Sequence, residues 1–273
     1  MEPRLQRRVQ RYGWDLAADD YEPLWQAQLD PAQAELLAQL ALAPGERVLD
    51  VACGTGLVTL PAARAVGPLG RVLGVDISER MVQATQHRAQ AEHLHQLNAA
   101  RMDAEHLNLP DAGFDVALCA FGLMYLPEPE QALSELRRVL RPGGRLGLAI
   151  WGERARCGWS ALFPIVDAEV SSDVCPLFFR LGPSDTLARL CAQAGFNDVR
   201  TERMSATLRY SHASEACRAA FVGGPVALAW SRMGQAARER VCAAYLQAIE
   251  PWRRGTTYEV PAEFLISTAT SPS

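Results

Sequence analysis

From Arg47 to about Ile150 short apolar runs alternate with helical stretches, and this alternation limits the fold more than any other feature of the chain. "RVLDV" (47–51), "RVLGVD" (71–76), a run ending near Asp103, "FDVALCAF" (114–121) and "RLGLAIW" (145–151) read as buried strands. "GLVTLPAARAV", "SERMVQATQHRAQAEH" with Ser78 as N-cap, and "PEQALSELRRVL" read as the helices between them, with "RPGG" as a stop and turn. Strands separated by helices form a parallel sheet covered on both faces. Beyond this core, "PSDTLARLCAQAGF" reads as a helix, "DVRTERMSATLRY" as a strand, residues 212–250 as helical, and "TYEVPAEFLISTAT" as a closing strand whose beginning Pro261 weakens. The expectation is one domain over residues 1–273: a helical cap over 1–40, a ligand-binding core over 41–151, and a helical lid over 211–254.

Composition excludes several kinds of chemistry. All 27 basic residues are arginine, so a reaction that needs a lysine amine, whether a Schiff base or a P-loop, has no residue to perform it. The formal net charge is −4, which implies no basic field for a nucleic acid or an anionic membrane. Seven cysteines, at 53, 119, 157, 175, 191, 217 and 242, include no C-x-x-C pair and read as reduced residues of a cytoplasmic protein. His93 and His95 lack a third ligand nearby, so no metal site is expected. The first residues carry charges with no apolar run behind them, unlike a signal peptide, and no apolar stretch reaches the ~18 residues of a membrane span.

The turn after the first strand, "DVACGTG", holds Asp50, Ala52, Gly54 and Gly56. In a doubly wound sheet ligands lie outside the carboxyl ends of the strands, and small residues there let a ligand approach the backbone. A dinucleotide turn would read G-x-G-x-x-G, but Leu57 or Thr59 stands where the third glycine belongs. An acid inside the turn suits a ligand with an ammonium group and repels a pyrophosphate.

"VLDVACGTG", "GVDISERMV", "MDAEHLNLPDAGFDVALCAFGLMYL" and "ELRRVLRPGGRL", in that order, resemble the class I S-adenosylmethionine-dependent methyltransferases. Within them the chain is similar to the type 11 group, which includes the ubiquinone and menaquinone C-methyltransferases. The resemblance implies a mostly parallel seven-stranded sheet of order 3-2-1-4-5-7-6 and S-adenosylmethionine as cofactor. It also implies site roles. Ala52, where the family usually has glycine, and Gly54 would pass the methionine part, and Asp76 would bind both ribose hydroxyls. Ile77 and Met81 would flank the adenine, Asp103 and the Ala104 backbone would meet its amino group, and Phe121 would border the methyl.

Methyl transfer is an in-line displacement in which orientation and exclusion of water do most of the work. No residue is assigned as a catalytic base; His212 and Tyr125 are the candidates, and His106 reads as solvated. The acceptor pocket is expected from aromatic segments around the sheet edge, with Tyr21, Trp151 and Trp230 as contacts for a small aromatic, quinone-like or amine-bearing molecule. A nicotinamide-dependent oxidoreductase and a catalytically silent cofactor-binding protein are the alternatives. No nucleic-acid partner and no stable membrane insertion are expected.

Overall fold

A computed structural model describes residues 2–170 and 178–273. Its elements run α1 (Pro3–Leu40), β1 (Arg47–Val51), α2 (Thr59–Val66), β2 (Arg71–Asp76), α3 (Glu79–Ala91), β3 (Leu97–Arg101), β4 (Phe114–Ala120), α4 (Pro129–Val139) and β5 (Leu140–Trp151). They continue with α5 (Leu162–Glu169), α6 (Thr186–Gln193), β6 (Asn197–Tyr210), α7 (Ala213–Phe221), α8 (Ala227–Arg232), α9 (Gln235–Ile249), β7 (Arg253–Arg254) and β8 (Thr257–Thr270).

The strands form one sheet in the order β3-β2-β1-β4-β5-β8-β6, with the two-residue β7 pairing only β8. The sheet has eight strands where seven were expected. Setting β7 aside leaves the expected order, because β8 then counts as the seventh strand. β1 to β5 pair in parallel, while β8 runs antiparallel between β5 and β6. The chain order reverses at β1 and β4, which places the crevice for a ligand above their carboxyl ends.

Three boundaries differ from the sequence reading. β3 ends at Arg101, so Asp103 lies in the following turn. "RPGG" does not stop the fourth helix: α4 ends at Val139, and β5 already begins at Leu140, which pairs with Phe114. Pro261 lies well inside β8, paired with Thr207 of β6. It is tolerated because pairing with β5 begins only at Phe264, so no ladder bond is demanded of the proline on that side.

α1 is the largest departure from a generic cap. It is a single helix of 38 residues that continues through Pro23 and Pro31. Its C-terminal half lies on the sheet, where Leu36 and Leu40 fill the space over Gly147; a β carbon on Gly147 would come within 2.6 Å of Leu40. Gln28 fixes its height along the edge strand, donating to the Arg209 carbonyl (2.6 Å) and accepting from the Arg209 amide (2.9 Å). The N-terminal half extends over the carboxyl ends of β1, β2 and β4. Among the described residues no helix is long and apolar enough to cross a membrane.

Candidate active site

A cleft of about 750 Å³ opens between the N-terminal half of α1 and the crevice of the sheet. Eight of the nine residues expected to bind the cofactor line it: Ala52, Gly54, Asp76, Ile77, Met81, Asp103, Ala104 and Phe121. The ninth, Asp50, lies one layer below, beside a small recess shared with Tyr21, Ala52 and Gly54.

The turn is built by exact steric demands. Ala52, Gly54 and Gly56 all have left-handed φ (59°, 55° and 87°). A β carbon on Gly56 would meet Leu60 at 2.3 Å, so only glycine fits. Ala52 carries its methyl at a cost of roughly 1–2 kcal/mol. Room for that methyl comes from Gly122, where a β carbon would stand 2.3 Å from the Ala52 Cβ. Thr85 of α3 holds the turn from behind, its hydroxyl donating to the Gly54 carbonyl (2.8 Å).

Asp76, if kept only for ribose hydroxyls, would be loosely solvated without ligand. Instead it is only 8% exposed, and its carboxylate accepts from the Gly54 amide (3.0 Å) and the Ser78 amide (2.8 Å). The acid at the end of β2 therefore locks the glycine turn to the start of α3. Ser78 caps that helix as expected, accepting from the Met81 amide. Asp50 is buried; Thr59 donates to one carboxylate oxygen (2.6 Å), and the other has no partner. An orphaned buried carboxylate oxygen beside a bare backbone turn fits the ammonium end of S-adenosylmethionine.

Burial raises the Asp50 carboxyl to about 7 and the Asp76 carboxyl to about 6; in each case hydrogen bonds oppose the shift without cancelling it. The native state thus holds more protons than the unfolded chain between about pH 4 and pH 7, so ionisation across this window destabilises the ligand-free protein. A cationic ligand favours the ionised carboxylates. Cofactor affinity should therefore rise with pH up to about pH 7, by as much as roughly tenfold per unit for one obligatory ionised group. Calorimetry in buffers of different ionisation enthalpy should show proton release on binding near pH 6; uptake, or a flat profile, would contradict this.

Asp103 stands at the mouth of the cleft. It accepts from the Glu105 amide (3.0 Å) and faces Arg7 of α1 (3.4 Å). Arg7 also pairs with the buried Glu105 and with Glu128 (2.6 Å), so α1 is tied down at the Asp103 end of the cleft. Sequence reasoning did not single out Arg7, Gln10 or Gly122, and gave Thr59 no contact with Asp50. Their distance from the glycine turn in sequence, or their ordinary residue type, left no signal.

A second recess of about 310 Å³ adjoins the cleft. Trp14, Tyr21, Phe121 and Tyr125 line both. Trp25, Trp151, Trp159 and Phe178 close its far side, with Trp151 and Trp159 in contact at 4.7 Å between ring centroids. The indole N–H group of Trp25 is buried without a hydrogen-bond partner among the described residues, and that of Trp159 faces the Cys157 thiol. Tyr21 reaches further than expected: it lies over the glycine turn, and burial together with Asp76 and Asp50 raises its hydroxyl pKa. Trp151 lines the recess.

Trp230 is not in the recess. It stacks on Phe221 (5.2 Å) beneath the Arg238 guanidinium, and the Gly224–Pro225 turn between α7 and α8 faces the recess instead. The exposed His212 caps α7, accepting from the Glu215 amide, and does not reach the cleft. His106 is exposed near Asp103. Cys53, Cys119, Cys157 and Cys191 are buried and Cys217 and Cys242 partly so; all six are free thiols, and Cys175 lies outside the described residues. No cluster of three potential metal ligands occurs among the described residues.

Residues 48–144 match the family described as "Methyltransferase domain". The ubiquinone/menaquinone biosynthesis C-methyltransferase UbiE of Ralstonia pickettii (strain 12J) is 35% identical over 182 residues, covering 60% of this chain and 72% of that protein. The chain belongs to the class I S-adenosylmethionine-dependent methyltransferases. It is an S-adenosylmethionine-dependent methyltransferase, and S-adenosylmethionine is its cofactor. The demethylmenaquinone methyltransferase of Lactobacillus johnsonii is 32% identical over 132 residues, and this chain spans about half of its length (54%). Among solved structures, a methyltransferase of Bacillus halodurans C-125 has the same fold (TM-score 0.63, 19% identity, 89% of this chain and all of that one). The [4+2]-cyclase SpnF shares it too, at 25% identity and a TM-score of 0.61, over 91% of this chain and 82% of its own.

Proposed function

We propose that this methyltransferase acts on a flat, apolar, oxygen-bearing ring, of the quinone class for which the UbiE relatives are named. One observation carries the reading. The recess that continues the cofactor cleft is walled by aromatic rings, none of its described lining side chains is charged, and one lining residue, Trp25, has a buried indole N–H group without an acceptor among the described residues. A ring oxygen would satisfy such a donor, and ring faces would stack on the plane. An ammonium acceptor would find aromatic faces but no carboxylate among the described lining residues.

In this reading the unpartnered Asp50 oxygen takes the ammonium group of the cofactor. The bare backbone at Ala52 and Gly54 passes its methionine part. Asp76 accepts from the ribose hydroxyls, Ile77 and Met81 flank the adenine, and Asp103 with the Ala104 backbone meets its edge. Bound there, S-adenosylmethionine supplies a sulfonium methyl. Phe121, Trp14, Tyr21 and Tyr125, common to the cleft and the recess, hold the acceptor in line with that methyl and exclude water. Burial keeps the Tyr125 hydroxyl protonated, with its pKa well above the ordinary value. It acts as a hydrogen-bond donor and not as a base, so the acceptor must be nucleophilic without help from it. The helices α7–α9 roof the recess through Gly224 and Pro225. Phe221, Tyr245 and Ile249 of this region belong to the main hydrophobic core.

Gly224→Ala tests the division between recess and cleft. The new methyl would stand 3.2 Å from the Ala219 carbonyl oxygen and 3.7 Å from the Trp25 nitrogen. The KM for a reduced naphthoquinone should rise by about tenfold, in line with one methylene in an apolar pocket. Affinity for S-adenosylhomocysteine should stay within about twofold. Equal loss of both would contradict the assignment. The SpnF likeness favours one other reading, in which the cofactor stays intact while the acceptor rearranges. Retention of the labelled methyl on the cofactor, with a rearranged product, would identify it.

A further inference from the structure

The first four turns of α1 are amphipathic in the wrong sense for a helix that only covers a core. Gln6, Gln10 and Gly13 face inward, and Gln6 and Gln10 are 3% and 8% exposed. Leu5, Tyr12 and Leu16 face outward, at 38%, 47% and 47% exposure. These three recur at spacings of seven and four and so share one stripe. Among the described residues only one other large apolar side chain, Leu69, is exposed. The outward apolar positions are therefore concentrated at this face of α1, which is what marks a contact surface.

Arginines flank the stripe. Arg4, Arg8 and Arg11 lie beside it, and with Arg101 they rim an open hollow next to the Asp103 end of the cleft. Arg11 stacks on the Tyr12 ring at 4.6 Å, and no ion pair holds Arg4, Arg8 or Arg101 among the described residues. The carboxylates at the hollow are Glu2 and Asp103, and Arg7 already faces Asp103. Toward the middle of α1 the acids take over: Asp15 and Asp19 engage Ser78 and Arg80. The net charge of −4 argued against any basic field. The structure corrects that, because the charge is unevenly spread and this one face is basic.

We propose that the outward face of residues 4–16 docks on an anionic lipid bilayer, with α1 lying in the plane of the interface. Apolar side chains rimmed by arginines, on a helix far too polar to span, match what such a surface binds. A protein or nucleic-acid partner would share the positive rim, but only a fluid apolar layer below a negative surface also receives Leu5, Tyr12 and Leu16 without a shaped counterpart. Docking would hold the cleft at the membrane, where an apolar ring acceptor dissolves. That benefit rests on the proposed acceptor class; the docking itself does not.

Sedimentation of the full chain with vesicles tests the proposal without any acceptor. The protein should pellet with vesicles of phosphatidylglycerol and phosphatidylcholine, pellet much less with phosphatidylcholine alone, and be released by high salt. Leu5→Gln/Leu16→Gln and Arg4→Glu/Arg8→Glu should each lower partitioning by roughly tenfold or more, while the Kd for S-adenosylhomocysteine is unchanged. Absence of pelleting with the mixed vesicles, or pelleting of both variants as complete as that of the unaltered protein, would overturn it. So would a dimer in sedimentation velocity that Leu5→Gln/Leu16→Gln dissolves, because the face would then join two copies.

Discussion

Replacing Asp76 with alanine is expected to lower affinity for S-adenosylmethionine by roughly ten- to a hundredfold, and to destabilise the protein as well. The affinity loss follows from removing charge-assisted bonds of about 1.5–3 kcal/mol in the proposed ribose site. The stability loss follows from geometry. The Gly54 and Ser78 amides both donate to this carboxylate, and a methyl leaves both without a partner. Each buried unpaired donor costs about 1–3 kcal/mol, reduced here because the buried carboxyl itself pays for desolvation, as its raised pKa of about 6 shows. A net cost of about 2 kcal/mol implies a fall in melting temperature of several degrees, at roughly 2–4 °C per kcal/mol. Calorimetric titration and thermal denaturation of the same preparation give both quantities. Unchanged affinity would remove Asp76 from the site, and an unchanged melting temperature would contradict its structural role.

Gly122→Ala is expected to destabilise the protein by about 1–3 kcal/mol, as overpacking in a tight core does. The added carbon would stand 2.3 Å from the Ala52 Cβ and 2.8 Å from the Cys119 sulfur. Its displacement of Ala52 would also narrow the cleft and weaken cofactor binding. Ala52→Gly alone should be close to neutral: relief of left-handed strain, roughly 1–2 kcal/mol, is offset by about 0.5–1 kcal/mol of glycine entropy. In the double variant the closest clash is gone, so much of the loss should return. Urea denaturation of the four proteins in a double-mutant cycle should give a coupling of about 1 kcal/mol or more. Additive effects would show that Gly122 does not make room for Ala52.

Much of the sheet was legible in the sequence because buried parallel strands are continuous apolar runs, and "RVLDV" and "RVLGVD" have that form. The cleft lining was legible because Ala52, Gly54, Asp76 and Phe121 sit at strand ends, where chain order determines spatial order. The acceptor side was harder to read. Trp230 and Trp151 look alike as residues, but one stacks on Phe221 and the other lines the recess, and only packing of α7–α9 separates them. His212 had the chemistry of a base and the position of a helix cap. Arg7 and Gln10 could not be found because nothing in the sequence shows that α1 is one helix folded back across the sheet. The burial of Asp76 was not legible either, since a sequence gives the strand end but not the backbone amides that converge on it.

Methyl-labelled S-adenosylmethionine offers the most direct test of the central claim, that the aromatic recess presents an oxygen-bearing ring to the cofactor's methyl. The protein would be incubated with this cofactor and a reduced naphthoquinone, and the products analysed by mass spectrometry. The account predicts one labelled methyl on the ring and a stoichiometric amount of S-adenosylhomocysteine. Label that stays on the cofactor with the naphthoquinone, but moves to an aliphatic amine supplied in its place, would contradict it.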